Sequence, residues 1–246
     1  MTSITAPLTE EMFAAASAIP RWPPRASNDY IKARNELLKE EYELRAQIER
    51  IAAKRRALPQ GAIMQDYVFD EGPLDLSKDG PTKKTTLADL AADGRSLGIC
   101  HFMFDPSDEE PCPMCSMGLD SYNATIPHVS QNINFAVVGK GPLPKLRAWA
   151  KKRGWHNLRF LSSLENTFNK DMNVEDAEWM KFSKQAPGVS VFKKDGESGE
   201  VRHMYTAFPA IEPGSERGLD LMNGTYNILD LTPEGRGNWY AENEYD

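Results

Sequence analysis

The chain has 246 residues, of which 40% are hydrophobic and 26% charged, with a formal net charge of −7. That length can bury a substantial core without staples, while the acidic balance argues against nucleic-acid binding through bulk basicity. No apolar run approaches the roughly 20 residues needed to span a bilayer, and three cysteines do not make a disulfide scaffold.

The opening stretch "MTSITAPLTEEMFAAASAIP" has only a short apolar part. Glu10 and Glu11 precede it where a signal peptide would be basic, so a cytoplasmic protein is expected. Residues 1–28 read as a flexible N-terminal segment, because "AIPRWPPRASN" carries three prolines that oppose regular structure. Residues 29–58 then predict a long helical arm of strong helix formers, with Asn28 or Asp29 as the cap and Pro59 as the stop. Tyr30, Leu37, Leu44, Ile51 and Leu58 recur every seventh residue, and Leu38 and Ile48 widen that stripe. Two readings stand: a helix lying on its own domain, or the arm of a homodimer, for which only half of the heptad seam is apolar.

Beyond Pro59 the texture changes. "DYVFD" predicts a short strand, "EGPLDLSKDGPTKK" a loop, and "TTLADLAADG" a short helix with a threonine cap. "SLGICHFMF" is a near-continuous apolar run, as expected of a central strand covered on both faces. Past the cysteine pair of "CPMC", "SMGLDSYNATIPHVSQN" predicts a helix that Pro127 kinks or ends. "INFAVVGK" is a buried strand. In "PLPKLRAWAKKRGW", Leu146, Trp149 and Ala150 share one helical face, and Lys145, Lys151 and Lys152 face water. "LRFLSS" is a further strand, and residues 165–186 are polar and irregular with room for a short helix. "GVSVFKKDGESGEVRHMYTAF" gives two β runs around a Gly-rich turn, a hairpin. "GLDLMNGTYNILDL" closes residues 60–235 with a helix, and residues 236–246 form a polar tail, mobile at its end. The alternation implies an α/β fold: a central mixed sheet covered on both faces, with an antiparallel hairpin at one edge.

Cys112 and Cys115 are the candidate chemistry. A cysteine at the junction of a buried strand and a helix meets free backbone N–H groups and the helix dipole, which favour its thiolate. Cys112 would attack, and Cys115, one turn inside, would resolve the mixed disulfide. Two other readings remain at this point. A metal site needs about four ligands, and Cys100, His101, His128, His156 and His203 offer no second paired spacing. Alternatively, the two thiols are inert. Cys100 reads as an ordinary buried cysteine.

The arrangement resembles the thioredoxin superfamily. More narrowly, it is similar to the bacterial family called domain of unknown function eight-nine-nine, regarded as predicted dithiol-disulfide oxidoreductases. The segments that carry the resemblance are "RRALP" with "DYVF", "TLADL" through "GRSLGICHFMF", "CPMCS", "KRGW", "SVF" and "TYNILDLTPEGRG". It implies a thioredoxin-like central mixed sheet flanked by helices over residues 60–235, following the long amphipathic N-terminal helix. It also implies a cis-proline before the strand facing the CxxC, a place held by Pro187. If cis, the backbone beside it pairs with a disulfide-bearing substrate segment. Thioredoxins carry a buried acidic group in the strand leading to the CxxC. His101 holds the matching place, on a face with Leu97, Ile99 and Met103, and a histidine titrating near neutral pH would accept the proton of Cys115. Pro113 and Met114, between the cysteines, join Pro187 as substrate-binding candidates and tune the redox potential. The loop "DPSDEEP" sets Asp105, Asp108, Glu109 and Glu110 near Cys112, where inward-pointing carboxylates would oppose a thiolate.

The expected activity is thiol–disulfide exchange on a disulfide-containing protein or small thiol substrate, with no cofactor, metal, nucleic acid or membrane. The alternatives are a scaffold that keeps the fold without turnover, and a thiol peroxidase. "TLADLAADGRSLGICHFMF" is also similar to the start of peroxiredoxins, whose Cys loop carries a hydroxyl residue three places before the Cys and a proline seven before. In this chain Glu109 and Asp105 stand in those places, so peroxidase chemistry ranks below exchange.

Overall fold

A computed structural model describes residues 14, 22–209, 219, 222–235, 237 and 239–245. Most of the expected N-terminal segment and part of the stretch before the closing helix lie outside the described residues. The chain divides into two compact units, Met1–Pro59 and Gln60–Asp246. Among the described residues no helix is long and apolar enough to cross a membrane.

In the first unit the described residues include helix α1 (Asn28–Arg56), capped not by Asn28 or Asp29 but by Ser27, whose side chain accepts from the Tyr30 amide. Asp29 in its first turn and Lys54, Arg55 and Arg56 in its last complement the helix dipole. The end of the preceding segment packs on this helix. Trp22 folds back on α1, donating from Nε1 to Asn35 Oδ1 at 3.1 Å, with the Arg34 guanidinium 4.8 Å from its ring centre.

The second unit is built on one seven-stranded sheet. Its strands are β1 (Val68–Glu71), β2 (Lys83–Thr86), β3 (Leu97–Phe102), β4 (Asn134–Gly139), β5 (Phe160–Ser162), β6 (Gly188–Lys194) and β7 (Val201–Ala207), in the order β2-β1-β5-β4-β3-β6-β7. Strands β3, β4 and β5 are parallel, while β1 with β2, and β6 with β7, pair antiparallel. Helices α2 (Leu87–Leu90), α3 (Pro113–Val129), α4 (Leu143–Arg153), α5 (Phe168–Asp171) and α6 (Gly224–Leu229) connect or flank the strands. The β3-α3-β4 crossover followed by the β6-β7 hairpin against β3, and then α6, is the thioredoxin-like arrangement. Strand β2 corrects the sequence expectation of a loop through Lys84 and a helical segment from Thr85. "KKTT" has no apolar residue to announce it, and it pairs only as an edge strand, where lysines are common.

Local chemistry explains the element ends. Thr86 and Asp89 form a reciprocal capping box on α2. Gly154 closes α4 in the left-handed region at φ 71°, and the Trp155 amide then reaches the Ala150 carbonyl at 3.0 Å. Pro127 sits in the last turn of α3, which runs two residues further before stopping. Two apolar layers cover the sheet. Phe69, Leu87, Ile99, Phe168 and Phe192 pack on one face, and Phe102, Leu119, Leu146, Trp149, Trp155 and Phe160 on the other. Strand β3 is buried along its whole length, as its unbroken apolar run demands.

Described residues of the polar tail pack on the rest of the second unit. Arg153 donates to the Asn243 carbonyl at 2.7 Å and pairs with Asp120, whose carboxylate also accepts from Tyr245 Oη at 3.0 Å. Ala241 is buried.

Candidate active site

The site forms where β3 ends and α3 begins. After β3 the chain loops outward through residues 105–110 and returns, the Cys112 amide donating to the Met103 carbonyl at 3.1 Å. Asp105 shapes this excursion by accepting the Ser107 amide and hydroxyl at 3.0 and 2.7 Å. Asp108, Glu109 and Glu110 are exposed and Asp105 is turned to Ser107 and Gln185, so none of the four acidic groups opposes the thiol.

Cys112 is the N-cap of α3, with extended φ −56° and ψ 125° and no side-chain capping bond of its own. Pro113 occupies the first helical position, where its fixed φ fits and its missing N–H is no loss. The amides of Met114 and Cys115 therefore remain free to face the Cys112 sulfur. Hydrogen bonding from the Cys115 thiol, then from the Cys115 and Met114 amides, lowers the Cys112 pKa to about 7 against the opposing effect of burial. Cys115 moves the other way, well above the ordinary thiol range, because its proton is held by Cys112 and because it is buried. Cys112 and Cys115 are both half-buried free thiols. Cys100 is buried, and burial pushes its pKa up to about 12.

A cavity of about 340 Å³ opens beside this pair. Cys112, Cys115, His101, Met114 and Pro187 all contribute to its wall, so the structure brings together the sequence-derived candidates except Pro113. Met114 Sδ accepts from Tyr226 Oη at 3.0 Å, tying α6 to the start of α3. Among the described residues no group of three or more His, Cys, Asp or Glu side chains is placed to hold a metal ion.

Two expectations are corrected. No peptide bond among the described residues is cis, so Pro187 is trans. The segment before it already runs extended, with the Ala186 amide on the Val174 carbonyl at 2.8 Å, and enters β6 without a reversal. His101 does not titrate near neutral pH: burial, with a smaller contribution from His203, lowers its pKa to about 3. It is a neutral imidazole whose Nε2 lies 2.7 Å from Ser190 Oγ and whose ring stacks on Phe168.

Sequence reasoning missed Ser190 and its partners Thr206 and His203. One signal was available. Ser190 is a hydroxyl at a position that alternates with Val189 and Val191 and shares its face with Phe192, in a strand otherwise made for burial.

Comparison with known proteins now adds the family. A family model described as a bacterial protein of unknown function (DUF899) matches residues 21–245. The chain belongs to this family. No curated protein matches this DUF899 member. Among solved structures, peroxidoxin BcpB from Mycobacterium tuberculosis is similar at 14% identity over 67% of this chain and 91% of that one, with a TM-score of 0.44. A PrxQ mutant from Xylella fastidiosa shares 14% identity over 61% and 84%, with a TM-score of 0.43. Reduced 2-Cys peroxiredoxin from Plasmodium vivax shares 12% over 60% and 83%, with a TM-score of 0.42. The thioredoxin-like fold of the DUF899 chain is carried by its own strand order.

Proposed function

We propose that this DUF899 chain is a thiol–disulfide oxidoreductase in which Cys112 is the nucleophile and Cys115 the resolving thiol. One observation supports this most: two adjacent thiols are driven in opposite directions, Cys112 down to about 7 and Cys115 well above the ordinary range, at the mouth of a cavity. A group with a pKa near ambient pH is populated as thiolate while keeping its nucleophilicity. The Cys112 thiolate attacks a disulfide, forming a mixed disulfide and expelling one substrate thiolate. Cys115 then loses its proton and attacks the Cys112 sulfur, releasing the second substrate thiol. The protein is left as the Cys112–Cys115 disulfide, oxidised by two electrons, and an external thiol reductant resets it. Met114 and Pro187 flank the path of the incoming disulfide, and Pro113 holds the turn that exposes Cys112.

Separate Cys112→Ser and Cys115→Ser variants test the assignment. Only Cys115→Ser should accumulate mixed disulfides with a model disulfide, read by intact mass. Equal accumulation in both variants would remove the division into nucleophile and resolving thiol. Mixing the reduced protein with peroxide separates the peroxidase alternative, because an exchange enzyme shows no fast oxidation of Cys112.

A further inference from the structure

His101 carries an unusual pair of nitrogens. Nε2 is engaged with Ser190, while Nδ1 is buried and has no hydrogen-bond partner among the described residues. Buried polar atoms rarely stay unpaired, and this one belongs to a residue in the wall of the cavity that Cys112 and Cys115 share.

From His101 a continuous chain of hydrogen bonds crosses three strands. His101 Nε2 is 2.7 Å from Ser190 Oγ, Ser190 Oγ is 2.8 Å from Thr206 Oγ1, and Thr206 Oγ1 is 2.7 Å from His203 Nε2. A β-bulge makes the last link. Val191 pairs with Tyr205 but Phe192 with His203, which leaves Met204 as the extra residue. Under strict alternation, positions 203 and 206 would face opposite sides of the sheet. The bulge puts both on the face of Ser190 and His101. Gly188, opposite His101 in the ladder, keeps that space open: a Cβ there would lie 3.2 Å from the Ala207 carbonyl and 3.5 Å from His101 Cδ2.

The tautomer of His203 sets the direction of the chain. With His203 Nε2 as the acceptor toward Thr206, every link of the chain has one donor and one acceptor. Thr206 then donates to His203, Ser190 donates to Thr206, and His101 Nε2–H donates to Ser190. In that arrangement His101 Nδ1 is a buried lone pair with no partner among the described residues, on a residue of the cavity wall.

We propose that His101, Ser190, Thr206 and His203 form a proton relay that takes the Cys115 proton across the sheet during resolution. This rests on the reading of Cys115 as the resolving thiol. Cys115 gives its proton to His101 Nδ1, directly or through one water. His101 releases its Nε2 proton to Ser190, Ser190 passes its own to Thr206, and Thr206 passes its own to His203 Nε2. The balance is a Cys115 thiolate and a His203 imidazolium on the half-buried outermost strand, from which the proton leaves to water. His101 is protonated on one nitrogen before and after, so its dry surroundings never hold an imidazolium.

The test reads attack and resolution separately. Reduced full-length protein is mixed with an equimolar dithiodipyridine, which releases one absorbing pyridinethione when Cys112 attacks and a second when Cys115 resolves. Thr206→Val, on the outermost strand, should slow the second phase at least about tenfold relative to the first, and Thr206→Ser should restore it. In the unaltered chain the second-phase rate should fall along a curve, not a straight line, as D₂O replaces H₂O, because several protons move together. An unchanged phase ratio in Thr206→Val, a Thr206→Ser variant as slow as Thr206→Val, or a straight D₂O dependence overturns the relay. An absent first phase, or a second phase that survives Cys115→Ser, overturns instead the thiol roles beneath it.

Discussion

A thiolate at Cys112 is met by three donors: the Cys115 thiol, the Cys115 amide and the Met114 amide. The side-chain donor is the largest influence, which makes the acidity of Cys112 a property of the pair and not of the helix end alone. Alkylation of Cys112, followed by peptide mass, should therefore be half-maximal near pH about 7. Cys115→Ala removes the donor and should move that midpoint toward the free-cysteine value of about 8.5. Cys115→Ser keeps an O–H donor and should move it less. A midpoint untouched by Cys115→Ala would assign the acidity to the amides and the helix dipole. Cys100 serves as an internal contrast, since burial raises its pKa to about 12 and it should stay unlabelled while the fold is intact.

At the scale of elements, the antiparallel edge is held by an ion cluster. Glu71 in β1 is 1% exposed and takes two bonds from Arg159, at 2.7 and 2.9 Å, with the Thr85 hydroxyl and Lys83 completing its shell. Burial alone would raise its pKa, but Arg159 and Thr85 outweigh burial and the net shift is downward. A carboxyl depressed on folding stabilises the native state above its unfolded value, 4.5, and that contribution is lost as pH falls through the lower folded value. The stability gap between the unaltered chain and Glu71→Gln should thus be constant well above pH 4.5 and close as pH falls below it in urea titrations. Arg159→Met strands the carboxylate and should cost toward the lower end of about 3–5 kcal/mol, because Lys83 remains. A gap independent of pH would deny Glu71 its charge in the folded state. The same elements show what a sequence can disclose. Strands β3 and β4 announce themselves because burial on both faces leaves an unbroken apolar run, and Cys112 and Cys115 because their spacing is local. Strand β2 stays silent because an edge strand needs no apolar residue. Ser190, Thr206 and His203 stay silent because they meet only through a ladder register and a one-residue bulge, neither of which is written in spacing. The trans Pro187 and the neutral His101 depart from expectation because both depend on what packs around them.

On the scale of the molecule, the far end of the chain bears on the site. Asn243 donates to the Pro111 carbonyl at 3.0 Å and to Glu110 at 3.2 Å, so the residues just ahead of Cys112 are tied to the C-terminal strap. That strap is anchored on α3 and α4 through Tyr245 on Asp120, Arg153 on the Asn243 carbonyl and Lys152 on Glu244. Single exposed pairs of this kind contribute little, but in this strap each anchor positions the next, and the last of them closes the loop over the nucleophile. The Cys112 amide, bonded to the Met103 carbonyl, reports whether that loop is closed. Deleting residues 241–246 removes the Asn243 bonds and should lower the local opening free energy by about 1–2 kcal/mol. Amide exchange at Cys112 should then run about 5- to 30-fold faster, while amides of β4, inside the sheet, keep their rates. Equal acceleration at β4 would mean that the strap supports the whole unit, and unchanged exchange at Cys112 would mean that the loop holds itself. With exchange faster at Cys112 alone, the helix mouth that acidifies the thiol is shaped from both sides: by Met103 just past the end of β3, nine residues before Cys112, and by a strap more than a hundred residues after it.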